Sequence, residues 1–355
     1  MVNTPLLEHG GPDGGPPVLH DFSSNASPLP TPEPVLAALQ AADRRHYPDP
    51  VYGELREQLS ALLQHPAELI LPSAGGAEAI RRLTLWASLE GLRHVWVPQP
   101  GFGEYAAAAQ ALGLRVHAYE DFTQLTRELC AQEDGLPMKS PALVWACDPL
   151  NPSGSSPSAT AWQSVADALV NSGSQLAIDL AYEALRLDGS SQLPQALADQ
   201  AWRLRCPNKA LSLTGVRAGL LQAPLGAHGA AQRLRQLAPS WVLSAEGVAL
   251  LGEAWRPDTL QALKQQRDRL RPWRLAQHSA LHLRGWATRP SVCNFALWRP
   301  GSGTHIPTLL AALRQRGIKL RNAESLGAPG WLRLSVQSPD SQDVLLQALM
   351  DLECL

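Results

Sequence analysis

The stretch Gln175-Leu176-Ala177-Ile178-Asp179-Leu180-Ala181-Tyr182 decides how this chain folds. One polar residue, three apolar ones and a terminal carboxylate describe a short buried strand that stops at Asp179. Upstream, Ala142-Leu143-Val144-Trp145-Ala146 repeats the pattern, and residues 159–170 between the two suit a helix. Downstream, Ala218-Gly219-Leu220-Leu221 makes a third apolar run. Short apolar strands separated by helices imply βαβ units, hence an α/β fold with a mixed, mostly parallel sheet flanked by helices on both faces. In such sheets ligands gather at the carboxyl ends of the strands, where Asp179 and Asn151 fall.

Outward from this centre, residues 1–34 are rich in Gly and Pro and read as an extended arm. Residues 33–45 and 52–64 read as helices, the second with Leu55, Leu59, Leu62 and Leu63 on one face. Ser73-Ala74-Gly75-Gly76-Ala77-Glu78 opens another helix, and His94-Val95-Trp96-Val97 has a strand pattern ending at Pro98. After about residue 235 the pattern changes. A long Arg- and Gln-rich helical stretch covers 245–283. A strand at 292–298, a helix at 306–316, a strand at 331–336 and a helix at 340–350 follow. The expected organisation is an arm and first helix over 1–45, a large ligand-binding domain over 46–235 and a smaller α+β domain over 236–355.

Composition narrows the partners. The 355 residues are 45% hydrophobic, enough for a large core. Thirty basic residues against thirty-two acidic ones give a net charge of −2, which argues against nucleic acid or an anionic membrane surface as partner. No apolar run approaches the roughly 20 residues that cross a bilayer. The five cysteines are odd in number and form no Cys-x-x-Cys pair, so neither a disulfide framework nor a metal site is expected. With no basic region before an apolar stretch at Met1–Pro5, the reading is a soluble cytoplasmic protein.

The chemistry concentrates around Lys209, in Arg205-Cys206-Pro207-Asn208-Lys209-Ala210-Leu211-Ser212-Leu213-Thr214-Gly215-Val216-Arg217. An amine here can condense with an aldehyde cofactor, and an arginine eight residues on can reach that cofactor's phosphate. Asp179 offers a carboxylate for a pyridinium nitrogen, although an Asp after a strand equally describes a helix N-cap. Asn151, in Asn-Pro-Ser-Gly, can donate to a phenolate oxygen, or simply form a turn. Gly76 and Ala77 let a phosphate approach backbone N–H groups at a helix N-terminus, or form a plain strand-to-helix turn. Arg333 can hold a carboxylate through two hydrogen bonds, or sit on the surface of an edge strand. Arg321 is a second anion-binding candidate. Tyr47, in His46-Tyr47-Pro48-Asp49-Pro50, offers a phenol to a phosphate, or packs in its loop. His9-Gly10-Gly11 can form a backbone nest for an anion, or a flexible arm.

In order and spacing, over nearly the whole chain, these residues resemble the class I/II aminotransferase family of fold-type I pyridoxal 5′-phosphate (PLP) enzymes. The resemblance implies that Lys209 is the cofactor lysine and Asp179 the pyridinium partner. It implies that Asn151 and Tyr182 bind the phenolate oxygen, and that Arg217 with the backbone of Gly76 and Ala77 holds the phosphate. Tyr47 would reach the phosphate across a homodimer interface, and Arg333 would hold the substrate α-carboxylate. Within the family the N-terminal third is most similar to the cobalamin-pathway branch of L-threonine-O-3-phosphate decarboxylase-like proteins. Glu8-His9-Gly10-Gly11, Asp21-Phe22-Ser23-Ser24-Asn25-Ala26-Ser27-Pro28-Leu29 and His46–Pro50 carry that likeness. It makes Arg321, His9 and Asn25 candidate contacts for a phosphorylated amino-acid substrate.

The chain departs from the family at Cys206, where Ser or Thr is usual, and at Asn208, often a small residue, though Asn208 can still donate. Leu180 takes the place of an acidic residue. The expected activity is decarboxylation of L-threonine O-3-phosphate to (R)-1-aminopropan-2-yl phosphate. The alternatives are an aminotransferase acting on histidinol phosphate, or a paralogue without turnover.

Overall fold

The computed structural model describes residues 10–133, 136–137 and 141–353. Its centre is a seven-stranded sheet in the order Ile70–Ser73, Gly219–Gln222, Trp202–Arg205, Gln175–Asp179, Ala142–Cys147, His94–Pro98 and Arg115–Tyr119. The last five strands run parallel to one another. Gly219–Gln222 runs antiparallel to both its neighbours, a departure from the all-parallel pattern of its sequence surroundings. The chain between Arg205 and Gly219 is the Lys209 segment, which contains no crossover helix and so returns the strand in the opposite direction.

Both faces of this sheet are dry, which explains its continuous apolar strands. Successive side chains alternate between two cores. Leu143, Trp145 and Ala177 join the core that also holds Ile80, Leu83 and Trp202. Ala142, Val144, Ala146, Leu176 and Ile178 join the opposite core around Trp162. Trp145, Trp162 and Trp202 are essentially inaccessible. Each such large apolar side chain stabilises the fold by about 1.5–3 kcal/mol.

The smaller lobe is a four-stranded antiparallel sheet, in the order Ala287–Thr288, Phe295–Arg299, Leu332–Ser335 and Arg321–Asn322. Arg333 therefore lies on an interior strand, not an edge. The helical stretch expected over 245–283 is two helices, Ala245–Ala254 and Pro257–Leu283. Pro257 has no N–H to give to the preceding turn and starts the second helix at its first position. Leu243, Leu250, Leu251, Ala254 and Leu263 pack in the large core, and Phe22 packs in the small one.

The arm is not free. His20–Asp21 pairs in parallel with Ile318–Lys319, and the Ser335 N–H donates to the Phe22 carbonyl at 3.0 Å. The arm then crosses to the large lobe, where the Ser27 N–H donates to the Lys209 carbonyl at 2.9 Å. The helix Glu33–Ala41 follows, with Val35 and Leu39 in the large core. Among the described residues no helix is long and apolar enough to cross a membrane.

One buried histidine makes the fold pH-sensitive. His65 lies within hydrogen-bond distance of the Arg203 guanidinium, at 3.2 Å through Nδ1. Burial first, then the Arg203 charge, lower its pKa to about 4. In the unfolded chain a histidine titrates near ~6.5. Between these values the unfolded state binds the extra proton, so stability is whole above about pH 6.5 and declines as pH falls towards 4. His65→Gln is expected to flatten that limb of a urea-midpoint against pH curve. An unchanged slope would rule His65 out as its source.

Candidate active site

A cavity of about 420 Å³ opens at the carboxyl ends of the parallel strands. Gly76, Ala77, Asn151, Asp179, Tyr182, Asn208, Lys209 and Arg217 line it from the large lobe. Arg321 and Arg333 line it from the small sheet, and Asn25 from the arm. Residues far apart in the chain thus meet around one volume.

Lys209 stands in the turn segment after Trp202–Arg205, with its ammonium 4.4 Å from the centre of the Tyr182 ring. Burial pulls its pKa down, but Tyr182 and Asp179 outweigh that and hold it above the ordinary lysine value. The amine is thus charged until a reaction partner takes its proton. Ser212, at φ +57°, fixes the turn by donating its hydroxyl to the Ser27 and Leu29 carbonyls. Cys206, three residues before the lysine, is a buried thiol whose pKa is pushed up to about 12, chiefly by burial.

Asp179 ends its strand opposite Cys147. Its Oδ1 accepts the Ala181 N–H at 2.9 Å and its Oδ2 accepts the Tyr105 hydroxyl at 2.8 Å. It does not cap the short helical turn Glu183–Leu185, whose N-cap is Tyr182. Asn151 follows the neighbouring strand. Its Oδ1 accepts from Arg333 Nη1 at 2.6 Å, which turns the amide nitrogen into the donor left for a ligand.

The helix Gly76–Leu89 begins at the cavity wall without a side-chain cap. Its first N–H groups and its dipole suit an anion. Gly75 holds φ +86°, and a Cβ there would stand 2.8 Å from Arg217 Nη2. The glycine gives the guanidinium its room beside the helix end. Thr214 lines the cavity on the same segment as Arg217.

Arg333 is buried, with Nη2 donating to the Ser23 carbonyl at 2.5 Å. Burial lowers its pKa to about 10, so it remains a cation near neutral pH. Arg321 faces it directly across the sheet and donates to Ser325 Oγ at 2.7 Å. Gly10 and Gly11 pass over these arginines. A Cβ at Gly10 would stand 2.2 Å from the Ser23 carbonyl oxygen, so only glycine fits. The Gly11 N–H donates to Ser23 Oγ at 3.0 Å. Asp13 ties the strap down through Arg314 at 2.9 Å and Lys319 at 2.6 Å, and Lys319 also bonds the Gly11 carbonyl. Lys319 holds the Asp13 carboxyl down at about 2.

His9 falls outside the described residues. Tyr47 does not line the cavity. It is 78% exposed and stacks on Trp241 at 4.5 Å, with exposed Val51 nearby in sequence. Sequence reasoning also missed Phe102, Asp21, Ser24, Thr214 and Leu326, which line the cavity, and Tyr105, which grips Asp179. The aromatic pair in Gly101-Phe102-Gly103-Glu104-Tyr105, just beyond a strand end, was the available signal.

The donor set fits a phosphorylated pyridine aldehyde. Both amide atoms of Asn25 and Oδ1 of Asn208 are buried without a hydrogen-bond partner among the described residues, and both side chains belong to cavity-lining residues. Buried polar atoms of this kind cost about 1–3 kcal/mol unless a ligand satisfies them. An amine, a carboxylate, an amide donor, a phenol and a glycine-and-arginine anion cradle surround the same space.

The family described as "Aminotransferase class I and II" matches residues 18–349. A histidinol-phosphate aminotransferase of Hyphomonas neptunium is 30% identical over 92% of this chain and 89% of its own. A threonine-phosphate decarboxylase of Salmonella typhimurium is 30% identical over 71% of this chain and 70% of its own. The crystal structure of histidinol-phosphate aminotransferase from Sinorhizobium meliloti in complex with pyridoxal 5′-phosphate superposes with a TM-score of 0.74, at 22% identity, covering 92% of this chain and 88% of that one. The chain belongs to the class I and II aminotransferase family, with the fold-type I architecture. It is an enzyme of that family and uses pyridoxal 5′-phosphate.

Proposed function

We propose that this enzyme decarboxylates L-threonine O-3-phosphate. The observation that carries the reading is the Arg321–Arg333 pair. Two buried cations sit directly opposite each other on adjacent strands and line one cavity. Like charges so placed repel, and Arg321 adds to the burial that lowers the Arg333 pKa. A substrate with a carboxylate and a phosphate relieves that repulsion better than one with a single anionic group. The Gly10–Gly11 strap lines the same cavity, with Gly10 beside Arg333.

When bound, pyridoxal 5′-phosphate supplies an aldehyde for amines and a ring that takes up the electron pair released at the substrate carbon. The protein supplies the rest. Lys209 offers the amine and afterwards moves a proton at that carbon. Asp179 would set its carboxylate against the ring nitrogen. Asn151 and Tyr182 would donate to the phenolate oxygen. Gly76, Ala77, Asn208 and Arg217 would hold the phosphate. Arg333 orients the substrate carboxylate, and orientation decides whether that carboxylate or a hydrogen leaves. The exposed surface of Tyr47, Val51 and Trp241 suits a second copy of the chain, in which Tyr47 would reach its neighbour's phosphate.

The second reading is transamination of histidinol phosphate, and it is favoured by the Hyphomonas relative. Incubating the cofactor-loaded enzyme with L-threonine phosphate separates the two. Stoichiometric CO₂ and an aminopropanol phosphate are expected. A keto acid formed from L-threonine phosphate when a 2-oxo acid is added as amino acceptor, without CO₂, or turnover only of histidinol phosphate with 2-oxoglutarate, would sink the decarboxylase.

A further inference from the structure

We propose that Tyr105 is a positioning residue that holds the Asp179 carboxylate in place for the cofactor ring. The inference rests on the reading of Asp179 as the ring-nitrogen partner.

Tyr105 is fully buried in the first turns of the helix Glu104–Ala111. Its ring stacks on Trp145 at 4.8 Å with an interplanar angle of 13°, and meets the cavity-lining Phe102 edge-on at 5.7 Å. Its hydroxyl lies beside the Cys147 thiol and donates to Asp179 Oδ2 at 2.8 Å. The other oxygen, Oδ1, is held by the Ala181 N–H. A carboxylate at a strand end would otherwise rotate about its Cβ–Cγ bond. Here each oxygen is pinned by a donor from a different element, one of them carried on a ring that is packed on two sides.

The chemistry of the donor matters as well as its place. Burial and the Asp179 charge keep the phenol protonated far above its ordinary range. Tyr105 therefore donates at every working pH and takes no part in proton transfer. Without Tyr105 the carboxylate would turn more freely about its Cβ–Cγ bond.

The test compares pyridoxal 5′-phosphate with 1-deazapyridoxal 5′-phosphate, in which carbon replaces the ring nitrogen. Tyr105→Phe keeps the ring and its stacking and removes only the hydroxyl. It is expected to weaken pyridoxal phosphate binding about tenfold, the loss of one hydrogen bond to a charged group, while leaving the deaza analogue unchanged. Its kcat should fall by a similar factor with KM little altered. Equal weakening for both cofactors would make Tyr105 a packing residue and overturn the proposal. If Tyr105→Phe unfolds, a double-mutant cycle of Tyr105→Leu with Asp179→Asn replaces it. Full additivity of the two losses would overturn the proposal, and a small added loss in the Asp179→Asn background would support it. Wild-type protein that binds both cofactors equally would refute the role given to Asp179 itself, a result distinguishable from failure of Tyr105 alone.

Discussion

Lys209→Ala is expected to abolish covalent attachment of the cofactor and to lower turnover by roughly 10⁴-fold or more. Two separate tasks disappear together. The amine that condenses with the cofactor aldehyde is gone, and so is the group that moves a proton at the substrate carbon. Nothing nearby replaces it. Cys206 is a buried thiol whose pKa is pushed up to about 12, and Arg217 offers a guanidinium rather than an amine. Pyridoxal phosphate should still bind, because the helix end at Gly76 and Arg217 are untouched. The measurement is a spectrum of wild type beside the variant, before and after borohydride. Cofactor fixed covalently to the variant by borohydride would move the cofactor lysine elsewhere, to Lys139, Lys264 or Lys319.

Asp179→Asn is expected to cost about 10²–10³-fold in kcat while leaving the borohydride-sensitive band. The amide keeps the shape of the carboxylate, but its single oxygen can accept from only one of Tyr105 and Ala181. It loses that hydrogen bond and the charge facing the ring nitrogen. Asp179→Glu should not recover the activity, because the Tyr105 and Ala181 donors hold the shorter side chain at a set distance. Rates of the Asp179→Asn variant within tenfold of wild type would show that the charge is dispensable.

The sequence made the sheet legible where its strands are buried on both faces. Ala142–Cys147 and Gln175–Asp179 are continuous apolar runs because no solvent touches them. Trp202–Arg205 escaped notice because Arg203 and Arg205 interrupt the pattern. They are tolerated through Arg205 Nε on Gln222 Oε1 and the Arg203–His65 contact, partners far away in sequence. Arg115–Tyr119 escaped because it is the sheet edge, and its half-exposed residues do not form an apolar run. Lys209, Asp179 and Asn151 were readable because local spacing places them at strand ends. Tyr105 was not, since its bond to Asp179 spans 74 positions and follows from no periodicity. The surface alternative for Arg333 failed for a related reason: the strand that makes it interior, Arg321–Asn322, is two residues long.

The arm's route from one lobe to the other also sets an order of assembly. Phe22 and Ser335, which bond to each other, lie 313 positions apart. During synthesis the arm must wait, solvated and unpaired, until almost all of that chain has been made. Contacts closed over such long loops form late and slowly. Asn25 and the Gly10–Gly11 strap are therefore the last wall of the cavity to arrive. The large lobe can assemble its lysine, carboxylate and helix end while the substrate side is still missing. A newly made molecule would pass through a stage able to retain the cofactor before it can select a substrate.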